Sequence, residues 1–305
     1  MAEAVVATRD GVHRFDPWAG SDDARDQELA GQDVSALAGD GSVWWAIAGE
    51  QSILTSRAPG QWEVVTHVGG TGTCLYAGPD GGLLVGTAGA HLLQLTADRL
   101  EPVKSFEHVE GREKWYTPWG GPPDTRSLSR SPDGSLYANV HVGGILRSVD
   151  EGRSWKPTID IDADVHQVLA HPSEPGLVFA AAAVGLAVTE DGGESWRYET
   201  EGFHAGYARA VAIADGVVLV STSQGPGGRQ AALYRRPLTG GRFQRCTEGL
   251  PEWFSSNIDT ACVAASGPVV LFGTGEGSLF VSEDRGETWR LVAENLAPVR
   301  SVGLA

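Results

Sequence analysis

The octapeptide Thr189-Glu-Asp191-Gly-Gly193-Glu-Ser195-Trp196 recurs at two other places in the 305-residue chain. The copies are SVDEGRSW at residues 148–155 and SEDRGETW at residues 282–289. Their aspartates, Asp150, Asp191 and Asp284, are 41 and 93 residues apart, so one degenerate copy lies between the last two. The Asp can accept backbone N–H groups across a tight turn, the Gly can supply a positive φ, and the Trp can cover the hairpin. We therefore predict a structural role for the octapeptide.

The three octapeptides resemble the Asp-box (BNR) repeat of sialidases and related β-propellers. The resemblance implies an all-β fold made of four-stranded blades, with the box between the third and fourth strands of a blade. It also implies that the active site lies on the face opposite the boxes. The composition agrees, since 41 glycines and ten tryptophans suit turns and packed sheets.

A second periodic feature sets the number of blades. Six turn signals each lie between two β-rich runs and are 40, 53, 42, 40 and 52 residues apart. They are Asp40-Gly41, Asp80-Gly81, Asp133-Gly134, Pro175-Gly176, Asp215-Gly216 and Gly267-Pro268. Each predicts the hairpin between the first and second strands of one blade, which gives six blades.

The two ends of the chain predict a seventh, composite blade. Residues 299–305 are typical of a first strand with nothing after it, and residues 3–8 and 11–15 of second and third strands. Joining them closes the ring and removes the open sheet edge. We therefore expect an all-β, seven-bladed β-propeller that forms a single domain over residues 1–305.

Charge and composition limit the partners. The formal net charge of −16 argues against nucleic acid and anionic membranes. The N-terminal residues show no signal-peptide pattern, and no apolar run is long enough to span a bilayer. The three cysteines have no metal-binding spacing, and we expect Cys74 and Cys262 to be core thiols. These features together favour a cytoplasmic protein.

Aligning the first strands places seven residues in one equivalent position: Ser35, Thr73, Arg126, His166, Arg209, Thr260 and Arg300. If these side chains point alike, Arg126, Arg209 and Arg300 converge with His166 at the mouth of one channel. They would hold a carboxylate, sulfate or phosphate by charge-assisted contacts. The alternative is that each arginine only forms a salt bridge to a neighbouring loop.

The predicted loops on the same face are rich in aromatic residues. The loop at residues 107–124 contains Trp115, Tyr116 and Trp119, and the loop at residues 249–258 contains Trp253, Phe254 and Asn257. Aromatic loop residues serve recognition or fold back as satellite core, and both interpretations remain open. A glycine-rich loop at residues 224–229, ending in Arg229, is either an anion cradle or a plain flexible loop.

Three histidines from adjacent blades fall on this face: His141, His166 and His204. With Asp162 or Asp164 they form a candidate site for a divalent metal. Without a metal, His166 is the best single candidate for acid–base chemistry, because its unperturbed pKa lies near neutrality.

The sialidase resemblance implies roles for particular residues. Arg126, Arg209 and Arg300 are the set that could match the three arginines with which sialidases bind a substrate carboxylate. Sialidases use a Tyr–Glu nucleophile pair and an acidic proton donor. Tyr207 stands near Arg209, and Asp124 or Asp259 could be the acid. The resemblance thus favours an enzyme, a hydrolase or lyase acting on a small anionic or carbohydrate-like molecule.

Seven blades with Asp boxes also resemble the photosystem II stability/assembly factor propellers. Those propellers bind a protein segment through an arginine patch and are not enzymes. The resemblance therefore keeps a second function class open, a binding or assembly module with a protein partner.

Overall fold

The structure is a computed structural model that describes residues 3–16, 27–39 and 42–304. The predicted turn at Asp40-Gly41 lies outside the described residues, as does Ala305. Blades are numbered from the first complete four-stranded sheet along the chain.

The described residues form seven antiparallel sheets. Blade 1 contains β3 to β6, namely Val34–Gly39, Trp44–Ala48, Ser52–Ser56 and Trp62–His67. Blade 2 contains β7 to β10, namely Gly72–Ala77, Leu83–Thr87, Leu92–Thr96 and Arg99–Pro102. Blade 3 contains β11 to β14, namely Asp124–Arg130, Leu136–His141, Gly144–Ser148 and Lys156–Pro157.

The remaining blades follow the same plan. Blade 4 contains β15 to β18, namely Val165–Ala170, Val178–Ala182, Gly185–Thr189 and Arg197–Glu199. Blade 5 contains β19 to β22, namely Tyr207–Ala214, Val217–Ser223, Ala232–Pro237 and Gln244–Arg245. Blade 6 contains β23 to β26, namely Val263–Ser266, Val269–Gly273, Leu279–Ser282 and Arg290–Ala293. Blade 7 contains β27, β1 and β2, namely Val299–Leu304, Ala4–Thr8 and Gly11–Phe15.

The first strand of each blade is the innermost, and these seven strands form a closed ring. In order around the ring, β3, β7, β11, β15, β19, β23 and β27 each contact the next, and β27 contacts β3. β27 pairs with β1, so strands from both ends of the described chain share one sheet. The predicted seven-bladed all-β propeller with its composite blade is confirmed.

The core lies between the blades. Most of the second strands, such as Val178–Ala182 and Val269–Gly273, are buried along their whole length because a neighbouring blade packs on each face. Their sequences, VFAAA and VVLFG, are accordingly continuous apolar runs rather than alternating ones. Cys74 and Cys262 are buried, as expected for core thiols, and Cys246 is buried as well; burial raises the pKa of each to about 12.

Helices are few and short in the described residues. One α-helical turn, α1, covers Lys104–Glu107, and two 3₁₀ turns cover Arg112–Lys114 and Ile161–Ala163. No helix among the described residues is both long and apolar enough to cross a membrane.

A β-bulge interrupts the start of six inner strands at the same place. The ladder to the second strand skips one residue in each case, namely Ser35, Thr73, Arg126, His166, Arg209 and Arg300. These are six of the seven positions that strand alignment made equivalent. The seventh, Thr260, lies just before its strand, which begins at Val263, later than expected. A bulge re-aims a side chain relative to the strand's alternation, so these residues form a distinct ring of positions.

Candidate functional site

The three octapeptides form turns that share a set of hydrogen bonds to the aspartate, and we refer to them as the Asp turns (residues 148–155, 189–196 and 282–289). In the turn at Asp191, the carboxylate accepts hydrogen bonds from the Thr189 hydroxyl at 2.7 Å, the Ser195 N–H at 2.9 Å and the Ser195 hydroxyl at 2.6 Å. Corresponding bonds reach Asp150 and Asp284. These bonds lower the pKa of Asp150 to about 2. Each carboxylate is therefore engaged within its own turn.

The Asp turns and the bulged residues lie at opposite ends of the blades. Each Asp turn connects a third strand to a fourth, as Thr189–Trp196 does between β17 and β18. Since the strands are antiparallel, the end of a third strand lies at the same end as the finish of the first. The bulges are at the start of the first strands. We call the two ends the turn face and the bulge face.

A cavity of about 470 Å³ opens along the propeller axis at the bulge face. Arg126, Arg209 and Arg300 all line it. The structure thus brings the three predicted arginines to one cavity. Asp124 and Asp259, both predicted site residues, line it too, together with Asp33. The volume is in the range of small-molecule sites.

Each of the three arginines forms an ion pair with an aspartate of the same cavity. Arg126 Nε lies 3.2 Å from Asp124 Oδ2, and Arg300 Nη2 lies 2.9 Å from Asp33 Oδ2. Arg209 Nε donates to Asp259 Oδ1 at 2.8 Å. The aspartates paired with Arg209 and Arg300 lie in the segments that lead into the next blade. The cavity therefore presents guanidinium donors beside carboxylate acceptors rather than a positive pocket.

Beside this cavity, His141, Asp164 and His166 form a compact cluster, which we call the His–Asp cluster. Nε2 of His141 is 2.5 Å from Asp164 Oδ1, and Nε2 of His166 is 3.7 Å from the same oxygen. His166 is fully buried and His141 is 3% exposed. On its far side, His141 Nδ1 lies 3.6 Å from Asp124, which connects the cluster to the cavity wall.

Local structure holds each member of the cluster. His141 ends β12, directly opposite Asp124 in the ladder, and His166 is the bulged residue of β15. Asp164 follows the 3₁₀ turn in a left-handed conformation with φ 48°, which Asp tolerates better than most residues. The His166 Nδ1 lies 2.6 Å from the Ala208 carbonyl oxygen, so that nitrogen carries the proton.

The electrostatic environment fixes the charge states of these groups. Burial, reinforced by the nearby Arg209 charge, lowers the pKa of His166 well below its usual value. Burial alone would raise the pKa of the Asp124 and Asp164 carboxyls, but contact with His141 and neighbouring positive charge outweighs it, so both pKa values fall. Burial raises the pKa of the Tyr207 hydroxyl.

Four rings from successive parts of the chain contact one another in a row that includes both histidines of the cluster. Trp119 lies 5.1 Å from His141, His141 lies 5.3 Å from His166, and His166 lies 4.8 Å from Tyr207 between ring centroids. Trp119 is 63% exposed, which leaves one face of the indole open to solvent at the end of the row.

The other predicted residues lie apart from this cluster. The ring of His204 packs against Tyr234 and against Trp253, with 4.6 Å between the His204 and Trp253 centroids. His204 is therefore not part of the cluster, whose third member is Asp164. The Arg245 guanidinium lies over the Trp253 ring, 4.4 Å from its centroid. These loop residues therefore cover the top of blade 5 as satellite packing.

Of the other predicted loop residues, some pack against the rest of the protein and some are exposed. Asn257 Nδ2 donates to the Pro226 carbonyl, which ties the 249–258 loop to the glycine-rich loop, and Arg229 is exposed on the latter. Phe254 is buried in the core, and Trp115 packs on Phe106. In the 107–124 loop, only Trp119 and Tyr116 remain exposed among the described aromatic residues.

Sequence reasoning missed two features of the site. Asp33, the partner of Arg300, was not singled out, although it stands two residues before the bulge of β3, as Asp124 does before Arg126 in β11. The Thr260 hydroxyl donates toward the carbonyl oxygens of His166 and Arg209, both at 3.2 Å, and so joins two inner strands. The repeated Asp-x-bulge spacing could have identified Asp33.

A larger cavity, about 670 Å³, lies at the turn face between blades 2 and 3. Its lining includes Tyr76, Arg130 and Trp155. It contains neither the bulged residues nor the His–Asp cluster. The bulged arginines and their partner aspartates line the smaller cavity instead.

Comparison with known proteins supports the fold. No protein-family model matches the chain, and no curated protein matches it. The chain resembles the WD40 repeats of RRP9 with a TM-score of 0.64 and 17% identity, over 88% of this chain and 82% of that one. It resembles U3-55K with a TM-score of 0.63 and 17% identity, over 88% and 84%. An ancestral GH74 enzyme gives 0.62 and 14%, over 89% of this chain but 38% of the enzyme. Such low identities show a shared propeller fold alone.

Proposed function

We propose that this protein binds a small, hydroxyl-rich, sugar-like molecule in the axial cavity of the bulge face. The observation that carries the proposal is the set of three arginine–aspartate pairs around one cavity of about 470 Å³. A sugar hydroxyl both donates and accepts hydrogen bonds, so it can use a guanidinium and its neighbouring carboxylate together. Charge-assisted hydrogen bonds of this kind orient a ligand strongly.

The pairing favours a neutral or weakly anionic sugar over a compact anion. Each guanidinium charge is balanced by a carboxylate within 3.2 Å, so a sulfate or phosphate would be repelled by the neighbouring aspartate. A neutral polyol would not. Trp119, which is 63% exposed and packs on His141 of the neighbouring His–Asp cluster, offers an apolar surface on which a sugar ring can stack.

We further infer that the Asp turns are Asp-box repeats and that the chain is a sialidase-like propeller. The hydrogen bonds that all three turns share at the Asp carboxylate support this relationship. This relationship concerns the architecture and not the activity, because the Asp carboxylates are hydrogen-bonded within their own turns. Hydrolase or lyase chemistry on the bound sugar would be an addition to the binding function.

A thermal-shift screen followed by calorimetry tests the proposal. Galactose, glucuronate, sulfate and phosphate are the first probes, because they separate neutral, carboxylated and compact anionic ligands. A ligand that binds only the native state raises the melting temperature by mass action. We expect a neutral sugar or a uronate, rather than sulfate or phosphate, to give the shift.

Two variants of one ion pair then separate the sugar from the anion. Asp259→Asn removes a charged acceptor, so we expect roughly tenfold weaker sugar binding, while freeing Arg209 should strengthen sulfate binding. Arg209→Gln should weaken sugar binding by about 10- to 100-fold. Arg197→Gln is the matched control, since Arg197 pairs with Glu190 and Glu199 on an outer strand. Equal affinities in all three variants, or no shift with any probe, would refute the proposal.

A further inference from the structure

We propose that His141, Asp164 and His166 bind one divalent transition-metal ion beside the axial cavity. The ligand atoms are Nε2 of each histidine and an Asp164 carboxylate oxygen. All three lie within 4.8 Å of one another. An ion bound to nitrogen and oxygen lies roughly 2.0–2.2 Å from each ligand atom, so small rotations of the rings and the carboxylate would close the site.

The buried nitrogens of the cluster support this assignment. His141 Nδ1 and Nε2 and His166 Nε2 have no hydrogen-bond partner among the described residues. The 2.5 Å approach of His141 Nε2 to Asp164 Oδ1 does not have hydrogen-bond geometry, and that oxygen is also unpartnered. Buried polar atoms normally find a partner, because leaving one unsatisfied costs free energy. The two Nε2 atoms and Asp164 Oδ1 thus lie close together without a hydrogen bond of acceptable geometry, an arrangement that a metal ion would satisfy.

The surroundings of the two rings resemble the second shell of a metal site. A ligating histidine usually donates its other ring N–H to a carbonyl or carboxylate, which fixes its tautomer. His166 Nδ1 donates to the Ala208 carbonyl oxygen, which leaves the lone pair of Nε2 directed toward Asp164. His141 Nδ1 faces the Asp124 carboxylate at 3.6 Å. Both rings are therefore held with Nε2 toward the same oxygen.

The donor set indicates the type of metal. Two imidazoles and one carboxylate suit zinc and its first-row neighbours, whereas calcium and magnesium prefer oxygen ligands. Three protein ligands leave at least one coordination position for water or a bound molecule. This inference does not depend on the sugar proposal, since the metal can be measured without any sugar.

The test uses the full chain, stripped with EDTA and titrated with Zn²⁺ by calorimetry and with Co²⁺ by visible absorption. We expect one Zn²⁺ per chain, a rise in melting temperature, and a d–d spectrum for Co²⁺ that indicates nitrogen and oxygen ligands. Asp164→Asn is the main variant, because Asp164 is partly exposed and Asn also tolerates its left-handed backbone. It should weaken Zn²⁺ binding at least tenfold while the metal-free melting temperature changes little.

His166→Gln provides a second variant, although the loss of its bond to Ala208 also affects folding. His204→Gln is the matched control, since His204 lies on the same face but outside the cluster, and it should bind Zn²⁺ as the parent does. Absence of stoichiometric Zn²⁺ binding would overturn the metal site, as would unchanged affinity in Asp164→Asn. A sugar shift that persists in EDTA would leave the proposed function standing on its own.

Discussion

The two faces of the propeller use polar side chains in different ways. At the turn face, the carboxylate of each Asp turn accepts hydrogen bonds from its own turn. At the bulge face, polar side chains reach across blades, as Arg209 does to Asp259, or lack a hydrogen-bond partner, as His166 Nε2 does. The first arrangement satisfies each carboxylate locally and leaves it little capacity for a ligand. The second holds charged side chains around the axial cavity, which is typical of binding sites.

Two tryptophans give the largest test of this comparison. Trp289, in an Asp turn, is buried against Phe272 with ring centroids 4.9 Å apart, whereas Trp119 at the bulge face is 63% exposed. Trp289→Ala should reduce the free energy of unfolding by about 3–5 kcal/mol, because it leaves a cavity in the core. Trp119→Ala should change it by no more than about 0.5 kcal/mol. Chemical denaturation measures both, and similar losses in the two variants would contradict the assignment of roles.

Two glycines with similar backbone conformations provide a smaller, matched test. Gly286 in an Asp turn has φ +81° and a Cβ there would lie 2.7 Å from Leu219, whereas Gly121 in the 107–124 loop has φ +99° and open space around it. Alanine at either position carries a backbone cost of about 1–2 kcal/mol. Gly286→Ala should cost more than Gly121→Ala because it also meets packed side chains. Equal melting temperatures for the two variants would argue that the turn is not tightly packed.

Acid titration gives the smallest of these stability effects. Hydrogen bonds within the Asp turns hold the pKa of Asp191 and Asp284 below the ordinary value and that of Asp150 at about 2. A folded-state pKa below the unfolded one contributes stability above the unfolded pKa, and the contribution is lost as pH falls through the folded pKa. The difference in melting temperature between the parent and Asp191→Asn should therefore be constant above about pH 5 and shrink as pH falls below about pH 4. A difference independent of pH would contradict the ionised-turn description.

The sequence predicted that the bulged positions are equivalent around the ring, because the signal is periodic, but it did not predict the bulges themselves. Strand alignment placed Arg126, Arg209 and Arg300 at one offset, and the structure shows a bulge at that offset in each strand. The strand period and the turn spacing determine such positions without knowledge of loop paths. The structure likewise confirmed five of the six hairpin turns, and the sixth lies outside the described residues.

Contacts between blades were harder to predict. His204 was grouped with His141 and His166 because all three belong to adjacent blades, yet its loop turns toward Trp253. Which carboxylate meets each arginine likewise depends on the path of a connecting loop and on the angle between blades. Local sequence patterns specify neither of these, so the pairing of Arg300 with Asp33 could be found only in three dimensions.

The dissociation constant of a neutral sugar or uronate, measured in parallel for Asp259→Asn and Asp191→Asn, tests the division between faces most directly. Both variants remove one carboxylate charge, one at the bulge face and one in an Asp turn. We predict that Asp259→Asn weakens binding about tenfold and Asp191→Asn leaves the constant unchanged at a temperature where both are folded. Weaker binding in Asp191→Asn with parent affinity in Asp259→Asn would contradict the account.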